Sequence, residues 1–275
     1  MDLKEALKDK LTKREMKFLV TSFDVVGEVA ILEIPKELKK KEKKIADAVL
    51  EIQKNVKTVV KKASEREGEF RLKKYKILKG KSTETIHRES GCQYKVDIRK
   101  SYFSGRESTE RLRILQQVRD GERVLVMFAG VGPYGILIGK KHKNMIVWCV
   151  ESNKQACKYA EENIFINKVQ DRVKALCEDV KKISAGKFDR ILMPLPESAV
   201  DFLDVAFSHS KQNTTIHLYG IADQKKKEEI DFSKLLKRIE EEATKAGKKV
   251  KVLEKHKVLP YAPRKYKVCI DFQVL

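Results

Sequence analysis

The sequence predicts a doubly wound α/β domain preceded by a smaller, strongly basic α+β domain. Three observations predict it. From residue 123 onward, short apolar runs rich in Val, Ile and Leu alternate with stretches of helical periodicity, and such alternation implies a mostly parallel sheet with helices on both faces. The run Val124 to Phe128 leads straight into Gly130-Val131-Gly132-Pro133-Tyr134-Gly135, the order of a buried strand, a tight glycine turn and a helix start. Before residue 100 the pattern differs: strand-like segments are interrupted by a helix and by Lys-rich runs. The boundary is placed between Lys100 and Ser101, giving domains 1–100 and 101–275.

In chain order, residues 1–15 are charged and suit a short helix or arm. Residues 23–32 read as one strand, or as two strands turning at Gly27. Pro35 opens a helix in which Ile45, Ala48, Val49 and Ile52 recur with helical spacing. Strands are expected at 56–60, 70–78 and 94–98, with 61–69 a polar turn and 80–90 a loop carrying His87. In the second domain a helix at 106–118 precedes strands at 123–128, 145–150, 173–177, 188–193, 213–218, 249–255 and 266–274. The helices between them fall at 133–141, 153–167, 197–209 and 229–246. Pro133 suits the first turn of its helix, where its missing N–H costs nothing.

Charge narrows the partner. The 275 residues carry 60 Lys and Arg against 40 Asp and Glu, a net charge of +20. A surface rich in Lys and Glu would account for many charges but not for that imbalance. Nucleic acid is the first candidate, because cationic side chains displace condensed counterions from phosphate. The five cysteines, Cys92, Cys149, Cys157, Cys177 and Cys269, form no CxxC pair. They are expected to be free thiols in a reducing compartment, with no metal site. No signal peptide and no run of 18 apolar residues is present, so a cytoplasmic protein is expected rather than a secreted or membrane-spanning one. A monomer is expected.

The glycine turn implies a cofactor. A Cβ there would block a ligand from the backbone. Glu151 ends the next apolar run, about 20 residues on, where a carboxylate accepts from both hydroxyls of an adenosine ribose. Asp179 follows the run after that and suits the adenine amine; its plainer reading is a helix cap. The letters also fit a dinucleotide motif, so NAD stays open. The mid-chain position and the turn Met193-Pro194-Leu195-Pro196, suited to holding a flat base beside a sulfonium, favour S-adenosylmethionine.

Several segments in order carry a closer likeness: Ser22-Phe23-Asp24-Val25-Val26-Gly27, Gly68-Glu69-Phe70-Arg71, Tyr102-Phe103-Ser104-Gly105-Arg106, Glu110-Arg111, Phe128-Ala129-Gly130-Val131-Gly132-Pro133, Leu195-Pro196-Glu197-Ser198-Ala199 and Tyr261-Ala262-Pro263-Arg264-Lys265-Tyr266. From about residue 20 to the end the chain resembles the archaeal and eukaryotic tRNA (guanine-N1)-methyltransferase family, which acts on guanosine 37 of the anticodon loop. The resemblance implies a class I, Rossmann-like methyltransferase domain behind a tRNA-binding domain, with S-adenosylmethionine as cofactor and tRNA-Phe as the expected substrate. Many relatives carry a further N-terminal RNA-recognition domain, for which this sequence is expected to have no room. The family often has Asn-Leu-Pro where this chain has Pro194-Leu195-Pro196. That form resembles an archaeal, wyosine-linked branch, some members of which also methylate C7 of the tricyclic precursor imG2.

Guanine N1 carries a proton at neutral pH, so methylation there needs a base, and the remaining electron density flows toward O6, where a donor helps. The resemblance puts the base at Glu110, whose plainer reading is a capping or surface glutamate, and the O6 partner at Arg71. It puts Tyr102 near cofactor and target base, and Pro194 and Pro196 in the wall beside them. Phe128, Gly130 and Gly132 are expected to approach the methionine part of the cofactor. Asn153 matches a position beside ribose and adenine, and reads equally as a helix cap. Arg99, Lys100, Arg106, Arg111 and Arg113 flank the expected target pocket as phosphate contacts, with salt bridges to nearby glutamates as the alternative. Three rivals remain: an aminocarboxypropyltransferase of wyosine synthesis, a non-catalytic basic RNA-binding protein, and an NAD oxidoreductase.

Overall fold

A computed structural model describes residues 1–67, 72–226 and 229–275. The chain divides into two compact units, Met1–Arg106 and Glu107–Leu275. The contact boundary thus lies six residues beyond the 100/101 division, because Asp97 accepts backbone bonds from Lys100 and Ser101 at 2.9 and 3.0 Å and Arg106 pairs with Asp24.

In the first unit, helices α1 (Leu3–Ala6) and α2 (Lys13–Met16) each open with a capping box, set by Asp2 with Glu5 and by Thr12 with Glu15. Strands β1 (Asp24–Val26), β2 (Val29–Leu32), β3 (Thr58–Glu67) and β4 (Leu72–Lys79) form one sheet in that order. The β2–β3 pair is parallel and its neighbours antiparallel. The parallel crossover runs through a 3₁₀ turn at Lys36–Lys41 and helix α3 (Glu42–Ile52). Ile45, Ala46, Ala48 and Val49 of α3 pack on Ala30, Leu32 and Val59 of the sheet, with Leu3, Leu7 and Leu11 closing the cluster. Each fully buried Leu or Ile contributes about 1.5–3 kcal/mol relative to exposure. The polar stretch 61–67 continues β3 rather than turning: Lys61 pairs across to Lys76 in register and to buried Glu42 through its side chain.

Residues 80–90 are likewise not all loop. Strand β5 (Glu84–Glu89) pairs antiparallel with β6 (Cys92–Asp97). The turn between them has Ser90 at φ 50° and Gly91 at φ 79°, positive φ at both central positions, which matches the right-handed twist of a hairpin. His87 is structural: its Nδ1 accepts from Gly27 N at 3.1 Å and its ring lies 4.9 Å from that of Phe103.

The second unit opens with a 3₁₀ turn (Gly105–Glu107 in part) and α4 (Ser108–Gln117). Then follow β7 (Arg123–Met127), α5 (Pro133–Lys141), β8 (Ile146–Val150), α6 (Lys154–Ile166), β9 (Val173–Leu176), β10 (Phe188–Met193), α7 (Leu203–Ser208), β11 (Ser210–Lys226), β12 (Glu229–Asp231), α8 (Ser233–Lys245), β13 (Val250–Ala262) and β14 (Lys265–Val274). The sheet order is β13-β14-β11-β10-β7-β8-β9, with β12 on β11. Strands β9, β8, β7, β10 and β11 run parallel; β14 enters antiparallel beside β11 and β13 pairs antiparallel with β14. This is the doubly wound, Rossmann-like domain that was expected. Its strand order reverses between β7 and β10, and ligands of open α/β sheets bind at the carboxyl ends of strands beside such a reversal.

Several boundaries move. The expected helix at 197–209 is a 3₁₀ turn at Ala199–Phe202 followed by α7, and the helix at 229–246 begins only at Ser233. Strands β11 and β13 are far longer than expected because each finds a partner along its length in β14, a non-local pairing without a local signal. The expectation of five free thiols is corrected: Cys157 and Cys177 form a disulfide, and Cys92, Cys149 and Cys269 are free and buried. The pairing follows from the fold, since α6 packs against β9 and brings the two cysteines to a Cα separation of 5.6 Å. Among the described residues no helix is long and apolar enough to cross a membrane.

Candidate cofactor and catalytic site

The carboxyl ends of β7, β8, β9 and β10 gather the expected cofactor residues. Beyond the strands the ladder continues through single bonds: Ala129 N donates to Val150 O at 2.9 Å and Glu151 N to Leu176 O at 3.0 Å. These align the glycine turn beside Glu151. The turn itself is tightly coiled. Phe128, Gly130 and Gly132 have φ of 55°, 58° and 82°. Glycine adopts such angles freely, but for Phe128 the left-handed region costs of order 1 kcal/mol or more, a strain typical of ligand clamps. The Phe128 ring packs edge-on against Phe202 at 4.8 Å.

Glu151 is the centre of this loop. Its Oε2 accepts from Gly130 N at 2.7 Å and its Oε1 from Asn153 N at 2.8 Å. Burial pushes its carboxyl up from the ordinary glutamate value, opposed by the N–H groups of Asn153, Gly130 and Ser152. The side chain also takes a bond from the Ser152 N–H and is half-buried, so part of the carboxylate stays accessible to a diol. Asn153 caps α6, accepting from Gln155 N and Ala156 N at 3.0 and 3.4 Å. Asp179 caps the 3₁₀ turn at Val180–Lys182 through Lys181 N at 2.9 Å. Both plainer readings are therefore realised, and each cap still stands beside the loop end where a nucleoside would be held. The strained turn, the bare glycine backbone and the half-buried carboxylate fit an adenosyl cofactor.

The raised Glu151 carboxyl carries a consequence. Protonated, it no longer accepts from two hydroxyls, so cofactor affinity is expected to fall with acidification, and at a pH above the 4.5 of an ordinary glutamate. Titration calorimetry with S-adenosylhomocysteine across that range checks this; affinity unchanged down to pH 4.5 would separate Glu151 from the ribose.

Glu110, on the first turn of α4, is 3% exposed. Its Oε1 accepts from Tyr219 Oη at 2.7 Å and from Arg113 Nη2 at 2.8 Å, while Oε2 accepts from Arg113 Nε at 2.9 Å. A carboxylate has roughly four acceptor positions. Three are filled, and the fourth, on Oε2, faces His256, whose Nε2 lies 3.5 Å away. Tyr134 Oη in turn donates to Tyr219 Oη at 3.1 Å, and burial raises the hydroxyl pKa of both tyrosines well above its ordinary value, keeping them as donors.

Behind Glu110 runs a buried polar chain that the sequence reading missed. Arg113 Nη1 donates to Asp271 Oδ2 at 2.6 Å and to Glu254 Oε2 at 3.1 Å. Gln117 Nε2 donates to Asp271 Oδ2 at 3.0 Å. His217 Nδ1 lies 2.7 Å from Asp271 Oδ1, and its Nε2 lies 2.7 Å from Nη1 of Arg190, which is itself paired with Glu122. A guanidinium only donates, so Nε2 is the acceptor, Nδ1 carries the hydrogen, and His217 is a neutral imidazole. Burial acts in the same direction, lowering the His217 pKa. Burial alone would raise Asp271, but its His217 and Arg113 partners outweigh it and hold the carboxyl far below the ordinary range.

Of the cations expected to flank the target pocket, Arg111 and Arg113 are buried, and Arg113 takes the salt-bridge alternative. Arg111 is 2% exposed, and Arg113 is held among three carboxylates. Arg99, Lys100 and Arg106 lie exposed in the first unit; Arg99 donates to Tyr75 O at 3.0 Å. Tyr102, in the same unit, is 45% exposed. Arg71 lies outside the described residues. Pro194 and Pro196 are half-buried in the turn after β10, which is fastened by Leu195 N to Met193 O at 2.9 Å and Ala199 N to Leu195 O at 2.7 Å.

Comparison with known proteins matches residues 85–253 to the TRM5/TYW2 methyltransferase domain and residues 3–83 to the TYW2 N-terminal domain. The chain is 46% identical over 259 residues to the tRNA (guanine(37)-N(1))-methyltransferase Trm5b of Pyrococcus abyssi, covering 94% of this chain and 76% of that one. It is 32% identical to the tRNA(Phe) (4-demethylwyosine(37)-C(7)) aminocarboxypropyltransferase of Pyrococcus horikoshii, over 99% of this chain and 96% of that one. Among solved structures, aTrm5 in complex with tRNALeu aligns with a TM-score of 0.88 at 33% identity, covering 100% of this chain and 78% of that one. TYW2 of P. horikoshii in complex with MeSAdo aligns with a TM-score of 0.83 at 29% identity, covering 99% and 98%.

Proposed function

The chain belongs to the TRM5/TYW2 methyltransferase family, and from that membership we infer that it methylates N1 of guanosine 37 in tRNA, using S-adenosylmethionine. The observation that carries this reading is the buried Glu110 carboxylate, fixed in plane by Arg113 and Tyr219 with its fourth acceptor position, on Oε2, facing only His256 at 3.5 Å, in the same unit as the adenosyl loop. When bound, S-adenosylmethionine would supply an electrophilic methyl group whose C–S bond breaks on transfer, the sulfonium leaving as the neutral thioether S-adenosylhomocysteine. Glu110 Oε2 takes the N1 proton as the N1–C bond forms, leaving a neutral methylated base. Arg113 and Tyr219 hold the carboxylate so that this oxygen cannot rotate away. Arg71 is assigned to O6, where negative charge collects in the transition state, and Tyr102, Pro194 and Pro196 to the walls around cofactor and base. Arg99, Lys100 and Arg106 offer exposed cations to phosphate. The cytoplasm, where tRNA is modified, is the assigned compartment, with the chain acting as a monomer.

A second reading is C7 methylation of the tricyclic wyosine precursor. It is favoured by Pro194 standing where the family often has asparagine, and by the match of residues 3–83 to the TYW2 N-terminal domain. One experiment tests both. Purified protein is incubated with labelled S-adenosylmethionine and with unmodified or precursor-bearing tRNA-Phe, and the nucleosides are analysed by mass. 1-Methylguanosine at position 37 is the expected product, and a methylated tricyclic base adds the second activity. An aminocarboxypropyl mass on the tricyclic base, or cofactor binding without transfer to either RNA, overturns the assignment.

A further inference from the structure

Resting on that reading of the second unit as a tRNA enzyme, we propose that the tip of the β13–β14 hairpin, Arg264 with Lys265, is an arm that grips RNA phosphate beside the target nucleotide. The tip is fastened next to the base-wall turn: Tyr261 Oη donates to Oε1 of Glu197, which directly follows Pro194-Leu195-Pro196. The tip therefore stands at the carboxyl end of β10, the end of the sheet that carries the cofactor loop.

Arg264 has φ 57°. Glycine or asparagine is the low-strain choice in that conformation, and a long charged side chain there is kept at a cost in stability. The backbone at this point is pinned, with Gln224 N donating to Arg264 O at 2.8 Å. Arg264 and Lys265 are exposed, and among the described residues neither forms an ion pair, although Asp223 is the cross-strand neighbour of Lys265. A rigid turn with unpaired cations, on a chain of net charge +20, suits a polyanion rather than an acidic side chain of its own. An exposed edge strand uses Lys to discourage pairing, but that accounts for β13 and not for a left-handed arginine at its turn.

The test compares wild type with Arg264→Ala, Arg264→Lys, Arg264→Gly and the double variant Arg264→Ala with Lys265→Ala, measuring tRNA affinity against salt, S-adenosylhomocysteine affinity and melting temperature. Each lost phosphate contact is expected to weaken tRNA binding several-fold and to flatten the salt slope by about 1. Arg264→Lys recovers part of the affinity, and cofactor affinity does not move. Arg264→Gly separates the arm from a folding role: it relieves the backbone, so melting temperature holds or rises while tRNA affinity falls. Unchanged tRNA affinity and salt slope in the double variant overturn the arm alone. A wild-type chain that binds no tRNA overturns the arm together with the function it rests on.

Discussion

Glu110→Gln is expected to lower single-turnover methyl transfer by about 10²- to 10⁴-fold, the range associated with removing a positioned general base. The amide is nearly the same size and can still accept from Tyr219 or Arg113, but it cannot take the N1 proton. Because Arg113 keeps Asp271 and Glu254 as partners, the fold should survive. The Gly130–Glu151 loop does not involve Glu110, so S-adenosylhomocysteine affinity should stay within a few-fold of wild type. Rapid-quench kinetics with saturating cofactor and tRNA, alongside calorimetry on the same preparation, give both numbers. A variant with a near-normal rate would remove Glu110 from the base role. A variant that lost cofactor affinity as well would point to a collapsed loop and not to chemistry.

The second large effect is on stability. Asp271→Ala removes the acceptor shared by Arg113, Gln117 and His217, all inside the second unit. Taking away one member of a buried charged pair leaves its partner unpaired at a cost of about 3–5 kcal/mol. For a unit of this size, that corresponds to a melting temperature lower by roughly 10 °C. Turnover should fall too, since Arg113 would be free to turn away from Glu110. Differential scanning calorimetry decides the point, and a shift within experimental error would mean that the network is dispensable.

The same residues set an acid limit. The native His217 pKa is depressed, so the unfolded chain binds a proton that the native state refuses. Stability is therefore present above about pH 6.5 and falls as pH drops below it. Asp271, also depressed, acts in the same direction below about pH 3.9. In Asp271→Ala the lower of these two declines should vanish.

The parts of this protein that the sequence determined by itself are those whose physics is local. A valine-rich run ending in Gly130-Val131-Gly132-Pro133 leaves the backbone few alternatives to strand, turn and helix. Asn153 and Asp179 were legible as caps because a cap is satisfied within three residues of itself. Serine and glycine at 90 and 91 carried a hairpin signal that the polar character of residues 80–90 masked. The tertiary structure alone decided what surrounds Glu110. Tyr219 reaches it across 109 positions, and Asp271 reaches Arg113 across 158. A charged side chain reads the same in a sequence whether it is destined for water or for burial, so phosphate contact and salt bridge are indistinguishable for Arg113 along the chain, and only the fold places three carboxylates around it. The disulfide and the long β11–β14–β13 pairing were hidden for the same reason: each depends on a partner brought close only when the sheet closes, and no window along the chain contains both halves.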